Sequence, residues 1–332
     1  MLDPIKTHFF ESNIRSALAS GNLSEAQSFS YQWLRQYADS LPAKPSRVDL
    51  LNPTLWLALA DVVERTSDHY LIESLWQILE SVPVERSRNQ SLPLLGIPIL
   101  NRVDLLSQLL DSLDVYVDCL AIVDNSRILG RQPSAETQNS VSRFLDALQQ
   151  LGHPMIGEIH IARPFRNLGV ASSWNHILTS FPEFPIALIA NNDVVFAPGI
   201  IKQALERLDS SQPQFMPLLP QPHGFSAFFI TTLCWDRVGL FDPNFINAYF
   251  EDLEFRDRLR AHPEVEQVRA DFAFEEMAKR NPTHSATIES DPKLAAQNQG
   301  SYALNKLWYL SPRRFCHDQR GAWRRRWLAQ WC

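Results

Sequence analysis

The chain has 332 residues, 45% of them hydrophobic and 20% charged, with a formal net charge of −6. That length suits one large domain plus a smaller one, and the composition fits a soluble globular protein. No run is long enough to span a bilayer and no basic-then-apolar leader opens the sequence, so a cytoplasmic protein is expected. Cys119, Cys234, Cys316 and Cys332 are scattered without metal-type spacing and read as reduced thiols. The charge is uneven: residues 313–332 hold six arginines and one aspartate, net +5, leaving −11 on the rest. A basic tail on an acidic body points to an anionic surface or an acidic partner.

Residues 1–90 read as a helical module. Ser20-Gly21-Asn22 breaks a first helix, and in the second Ala26, Phe29, Trp33, Leu34 and Tyr37 recur at helical spacing. Residues 41–46 (LPAKPS) predict a loop, and 53–63 and 70–79 predict two more helices. Pro53 suits a first helical turn and Asn52 is a candidate cap before it. No cluster able to do chemistry stands here, so the module reads as a packing or partner-binding unit. Residues 81–91 form a polar hinge containing Pro83.

Beyond the hinge the pattern changes. Residues 92–100 (LPLLGIPIL) predict a strand closed by Asn101-Arg102, followed by an amphipathic helix over 103–113. A second strand, 115–123, ends in Asp124-Asn125-Ser126 and precedes a helix over 135–151. A third strand, 155–161, a loop, 163–169, and a helix, 170–180, come next. The apolar run 186–190 (IALIA), bounded by Pro185 and by polar residues, suits a buried parallel strand and stops at Asn191-Asn192-Asp193. Strands alternating with helices predict an α/β fold whose mostly parallel sheet is flanked by helices. Right-handed crossovers bring the carboxyl ends of parallel strands to one rim, where ligands bind in such sheets.

That rim collects Asn101, Arg102, Asp124, Asn125, Asn167, Gly169 and Asp193. Each residue type also occurs in ordinary loops, and Asn-Asn-Asp is a turn-forming triplet. As a set they suit a ligand: Asp124 could accept hydrogen bonds from a base or ribose, and the planar fork of Arg102 suits phosphate. Asn167 and Gly169 open a helix whose backbone N–H groups can approach an anion. Asp193 is a hard oxygen donor for Mg²⁺ or Mn²⁺ shared with phosphate oxygens. No GxGxxG and no GxxxxGK[ST] occurs, which argues against a dinucleotide site and a P-loop and favours a mononucleotide with a divalent metal.

Further on, 214–219 and 225–231 predict strands, 232–239 a short helix and 241–243 a turn. Residues 249–260 (YFEDLEFRDRLR) predict a helix with acids in its first turn and arginines towards its end, a pattern that also simply suits the helix dipole. Near a helix N-terminus the ionised form of Asp252 is favoured and can accept a proton.

Five segments in this order resemble glycosyltransferase family 2, with its GT-A fold. They are IPILNR (97–102), IVDNS (122–126), RNLGVASSWN (166–175), ALIANNDVVFAPG (187–199) and VGLFDPNFINAYFEDLEFRDRLR (238–260). The resemblance covers 92 to about 309 and implies a three-part chain: a helical module (1–90), a GT-A domain (91–310) and a basic aromatic tail (311–332). It implies an inverting transfer from a nucleotide-diphosphate sugar to an acceptor hydroxyl, in glycan or polysaccharide synthesis. Pro98, Asn101, Arg102, Asp124 and Asn125 would hold base and ribose, with Asn167, Gly169, Asn191, Asn192 and Asp193 completing the donor site. Asp193 binds metal and diphosphate in this reading, and His284 stands where several relatives complete the metal site. The usual Asp-x-Asp is replaced, since Asn191 stands in the first position. Asp252 matches the general base, and Glu251 beside it would orient the acceptor.

Two other readings use the same residues. A nucleotidyltransferase would carry a Gly-rich basic loop where this chain has Leu100-Asn101-Arg102-Val103-Asp104. A non-catalytic nucleotide-sugar binding module would not need both Asp193 and Asp252. The acceptor is expected to be a glycan or a lipid-linked molecule, and nucleic acid is not an expected partner. In the tail, Trp323, Trp327 and Trp331 share one helical face with arginines around it. That face suits either docking onto the protein or peripheral contact with a membrane at its inner surface.

Overall fold

The structure, a computed structural model, describes residues 4–40, 53–80, 91–126, 135–281 and 292–312. The expected loop at 41–46, Asn52, most of the hinge, His284 and the tail tryptophans lie outside them. The chain divides into two compact units, Met1–Glu85 and Arg86–Cys332.

The first unit holds α1 (Pro4–Ala19), α2 (Leu23–Ser40), α3 (Pro53–Thr66) and α4 (His69–Glu80). Gly21 turns the chain with φ +76° between α1 and α2, a conformation glycine adopts without steric cost. Asn22 then caps α2, accepting from the Glu25 N–H and donating to its carboxylate. Asp68 caps α4 in the same way, with Oδ1 accepting from the Tyr70 and Leu71 N–H groups. Ile14, Leu55, Leu59, Val62 and Leu71 are fully buried among these helices.

The second unit is built on one sheet of seven strands in the order β3-β2-β1-β4-β6-β5-β7. The strands are β1 (Ser91–Ile99), β2 (Tyr116–Asp124), β3 (Ile156–Ala162), β4 (Ile186–Ala190), β5 (Gln214–Pro217), β6 (Ala227–Thr231) and β7 (Glu266–Gln267). The helices α5 (Val103–Asp111), α6 (Ala135–Leu151) and α7 (Val170–Ser180) connect the first four strands, which are mutually parallel. These elements fall where the sequence places them, and the expected α/β class holds. β6 runs antiparallel to both β4 and β5; the link from β5 to β6 is too short for the crossover that parallel pairing of those two would need.

Side chains alternate across the strands: Leu120, Ile122, Leu188 and Ala190 enter one core, while Cys119, Ala121, Val123 and Ile189 enter the other. Cys119 and Cys234 are free buried thiols, each pushed up to about 12 by burial, which makes them unreactive. Gly96 lets α7 lie directly on β1; a Cβ there would stand 2.6 Å from Ile177 Cγ2 and 2.7 Å from Ile189 Cδ1.

Five further helices complete the unit: α8 (Ile200–Arg207), α9 (Thr232–Val238), α10 (Glu251–Ala261), α11 (Asp271–Arg280) and α12 (Pro292–Leu310). The sequence reading finds α9 and α10 but not α8, α11, α12 or β7. No helix among the described residues is long and apolar enough to cross a membrane.

Candidate functional site

The rim forms where β1, β2 and β4 end together. Ile99 pairs with Asp124 in register, and the Asn125 N–H donates to the Ile99 carbonyl at 2.7 Å. Pro98 is buried one residue earlier, opposite Val123. From β4, Asn192 reaches across and donates through Nδ2 to the Asn101 carbonyl at 3.2 Å. Asn191 is tied by its N–H to the Ser226 carbonyl at 2.8 Å. The Asn-Asn-Asp segment is thus joined to the end of β1.

Asp124 has no solvent exposure. Its Oδ1 accepts from the Ser126 N–H, while Oδ2 has no hydrogen-bond partner among the described residues. The buried Ser126 hydroxyl also has no hydrogen-bond partner among the described residues. A buried polar group without a partner is costly, so Asp124 Oδ2 offers an acceptor that a ligand, a water or a neighbouring group can satisfy.

Arg102 sits in a left-handed conformation, φ 56°, at the start of α5. Its guanidinium holds Asp104 with two bonds, at 2.9 and 2.6 Å. That pairing, then the nearby negative charge of Asp193, raises its pKa further. Arg102 and Asp193 therefore lie within electrostatic reach of one another. Asn281 braces the segment after Asp193: its Oδ1 accepts from the Val195 N–H at 2.7 Å and its Nδ2 donates to the Val195 carbonyl at 3.0 Å.

Asn125, Asn167 and Gly169 take roles the sequence does not reveal. Asn125 donates to Ser173 Oγ at 2.8 Å and accepts from the Leu168 N–H at 2.9 Å, so its side chain is a strut between β2 and α7. The Gly169 N–H donates to Asn167 Oδ1, and the Val170 N–H donates to the Asn247 carbonyl. The N–H groups of Gly169 and Val170 therefore bond within the protein, where the sequence reading has the N–H groups at this helix start approaching an anion. What Gly169 provides, at φ +77°, is close approach: a Cβ would lie 2.9 Å from Asn247 N.

Asn247 belongs to the turn that leads into Glu251 and Asp252. Asn247, Tyr249 and Phe250 all have positive φ, at 58°, 83° and 73°. Each such non-glycine residue costs roughly 1–2 kcal/mol. The strained turn sets Glu251 and Asp252 on the first turn of α10. Glu251 is buried, and its Oε2 has no partner among the described residues. Burial, then repulsion by Asp252, pushes its carboxyl up to about 8. Burial also raises Asp252, against the pull of backbone N–H groups and of Arg256. The pair shares one region in which two negative charges are disfavoured.

Among the described residues no three His, Cys, Asp or Glu side chains are grouped to hold a metal ion. Asp193 is one carboxylate beside a cation, a donor set that fits a metal ligated mainly by phosphate oxygens and water, and not a cage made by protein.

No family model and no curated protein matches the chain. Among solved structures it is similar to S. aureus TarS 1–349 in complex with UDP, with TM-score 0.38 and 14% identity over 54% of this chain and 58% of that one. It is also similar to GalNAc-T7 with UDP, GalNAc and Mn²⁺, with TM-score 0.42 and 9% identity over 63% of this chain and 48% of that one. The chain spans about half the length of these structures.

Proposed function

We propose that residues 91–310 form a GT-A glycosyltransferase domain that moves a sugar from a nucleotide-diphosphate donor to an acceptor hydroxyl with inversion. The observation that carries this reading is Asp124 Oδ2, a carboxylate oxygen buried at the end of β2 with no partner among the described residues. A base or ribose donor would satisfy it, with Pro98 on β1 and Asn101 just after that strand beside it. Arg102 would turn from Asp104 towards the diphosphate, since a phosphate offers its fork the same two-pronged geometry. A divalent metal, when bound, would be held by Asp193, with His284 as a further ligand, and would offset charge on the leaving diphosphate.

Asp252 takes the acceptor hydroxyl proton. The freed oxygen forms a bond to the anomeric carbon on the face opposite the diphosphate, and the bond from that carbon to the diphosphate oxygen breaks, its electron pair leaving with the nucleotide. Glu251, protonated at neutral pH because it is buried beside Asp252, can donate a hydrogen bond that orients the acceptor. No covalent sugar–protein intermediate is required. The acceptor is a glycan or a lipid-linked hydroxyl in polysaccharide synthesis. Contact of the basic tail, 311–332, with an anionic inner membrane surface would keep a lipid-linked acceptor at hand.

The test is turnover across common nucleotide-diphosphate sugars with Mn²⁺, read as release of nucleoside diphosphate. Release from one donor supports the reading; release from none, with no nucleoside diphosphate bound, removes it.

A further inference from the structure

We infer that α12 is a clamp that sets the position of Asp252, with Asn305 as its positioning residue. The inference rests on the reading of Asp252 as the base, and it concerns a helix outside the sheet and the rim.

Two residues of α12, Asn305 and Ser301, bond the strained turn, and a third, Trp308, bonds Asp242 just before it. The Asn305 side chain accepts from the Ile246 N–H at 2.9 Å and donates to the carbonyls of Ile246, Ala248 and Tyr249 at 2.9, 2.9 and 3.0 Å. Ser301 Oγ accepts from Asn247 Nδ2 at 2.7 Å. Trp308 Nε1 donates to Asp242 Oδ2 at 2.9 Å, while Asp242 Oδ1 holds the Asn244 N–H and side-chain amide. Positions 301, 305 and 308 share one face of a helix, and all three are buried. Beyond the turn, Tyr309 donates to Asp257 Oδ2 at 2.6 Å, which ties α12 to α10 itself.

Apolar contact is non-directional, so an apolar face would fill this space without fixing the backbone. Asparagine fixes it. One amide reads four backbone groups of residues 246–249, the stretch in which left-handed residues begin. Such conformations persist only where the surroundings over-determine them. On its other side the turn is held by the Val170 N–H on the Asn247 carbonyl, at 2.6 Å. Two and three residues past this doubly held segment stand Glu251 and Asp252. Removing Asn305 frees one side of the turn and lets the carboxylate drift from the acceptor oxygen.

The experiment compares Asn305→Ala, the milder Ser301→Ala and Leu145→Ala, whose side chain is fully buried against the sheet away from the turn. Misplacement of a catalytic group by an ångström costs about 10²-fold in rate. Asn305→Ala is therefore expected to lower kcat by about that factor with donor KM nearly unchanged, and Ser301→Ala by less in the same sense. Leu145→Ala is expected to lower the melting temperature and leave kcat unchanged when assayed below its melt. Amide exchange at Ile246 and Val170 is expected to quicken in Asn305→Ala and not in Leu145→Ala. Wild-type kcat in both clamp variants, or loss of kcat only in step with melting temperature as in Leu145→Ala, overturns the inference. If the wild type turns over no nucleotide sugar, the glycosyltransferase reading fails by itself. Exchange then decides the clamp, and unchanged exchange at Ile246 and Val170 overturns it.

Discussion

The backbone N–H of Val170 donates to the carbonyl of Asn247 at 2.6 Å. This bond joins the helix that packs on β1 to the turn that presents Asp252, and it forms only because residue 169 has no side chain. Gly169→Ala would place a methyl 2.9 Å from Asn247 N at φ +77°. The expected result is a folded protein with a lower melting temperature and a kcat reduced by about tenfold or more. A melt and a rate measurement on the purified variant check both.

Stability should fall as pH rises through the range in which Glu251 ionises. Its carboxyl is pushed up to about 8 from an ordinary 4.5, by burial first and by Asp252 second. Below the lower value the group is protonated in both folded and unfolded chains. Between the two values the folded protein keeps a proton that the unfolded chain releases, so each step up in pH favours unfolding. Glu251→Gln cannot ionise and should gain melting temperature relative to wild type from about pH 5 to about pH 8. A difference that stays constant with pH would contradict the buried, protonated acid.

The acid limb of the rate profile should lie above the ordinary aspartate range, since burial raises Asp252. Arg256 opposes that rise through its positive charge. Arg256→Met should therefore move the limb to higher pH, measured as kcat/KM against pH. A limb that moves down, or stays, would show that another group titrates.

Asp193→Ala should weaken nucleoside diphosphate binding in Mn²⁺ and change it little in EDTA, because Asp193 and the phosphates would share the metal. Calorimetric titration in both buffers measures this. Equal loss in both would assign Asp193 a structural role.

The sheet was legible because its strands are short apolar runs closed by polar residues, as at IALIA before Asn191-Asn192-Asp193. The rim residues were legible as types at strand ends. Their partners were not: Asn125 reads as a ligand-facing amide, yet it bonds Ser173 and the Leu168 N–H. α12 was illegible because AAQNQGSYALN carries no apolar stripe, and sequence does not tell a buried asparagine from an exposed one. Asn281 and Asn305 are illegible for the same reason. Their bonds run to backbone groups, which any sequence supplies and none advertises. The strain at Asn247, Tyr249 and Phe250 was equally hidden, since none is glycine.

The central claim is that Asp252 takes the acceptor proton beside a nucleotide-sugar site. Asp252→Asn keeps the shape of the side chain and removes the base. With the donor that the wild type uses, the variant should lose acceptor-dependent release of nucleoside diphosphate by about 10²-fold or more and bind the nucleoside diphosphate as the wild type does. Transfer retained at most of the wild-type rate would contradict the claim.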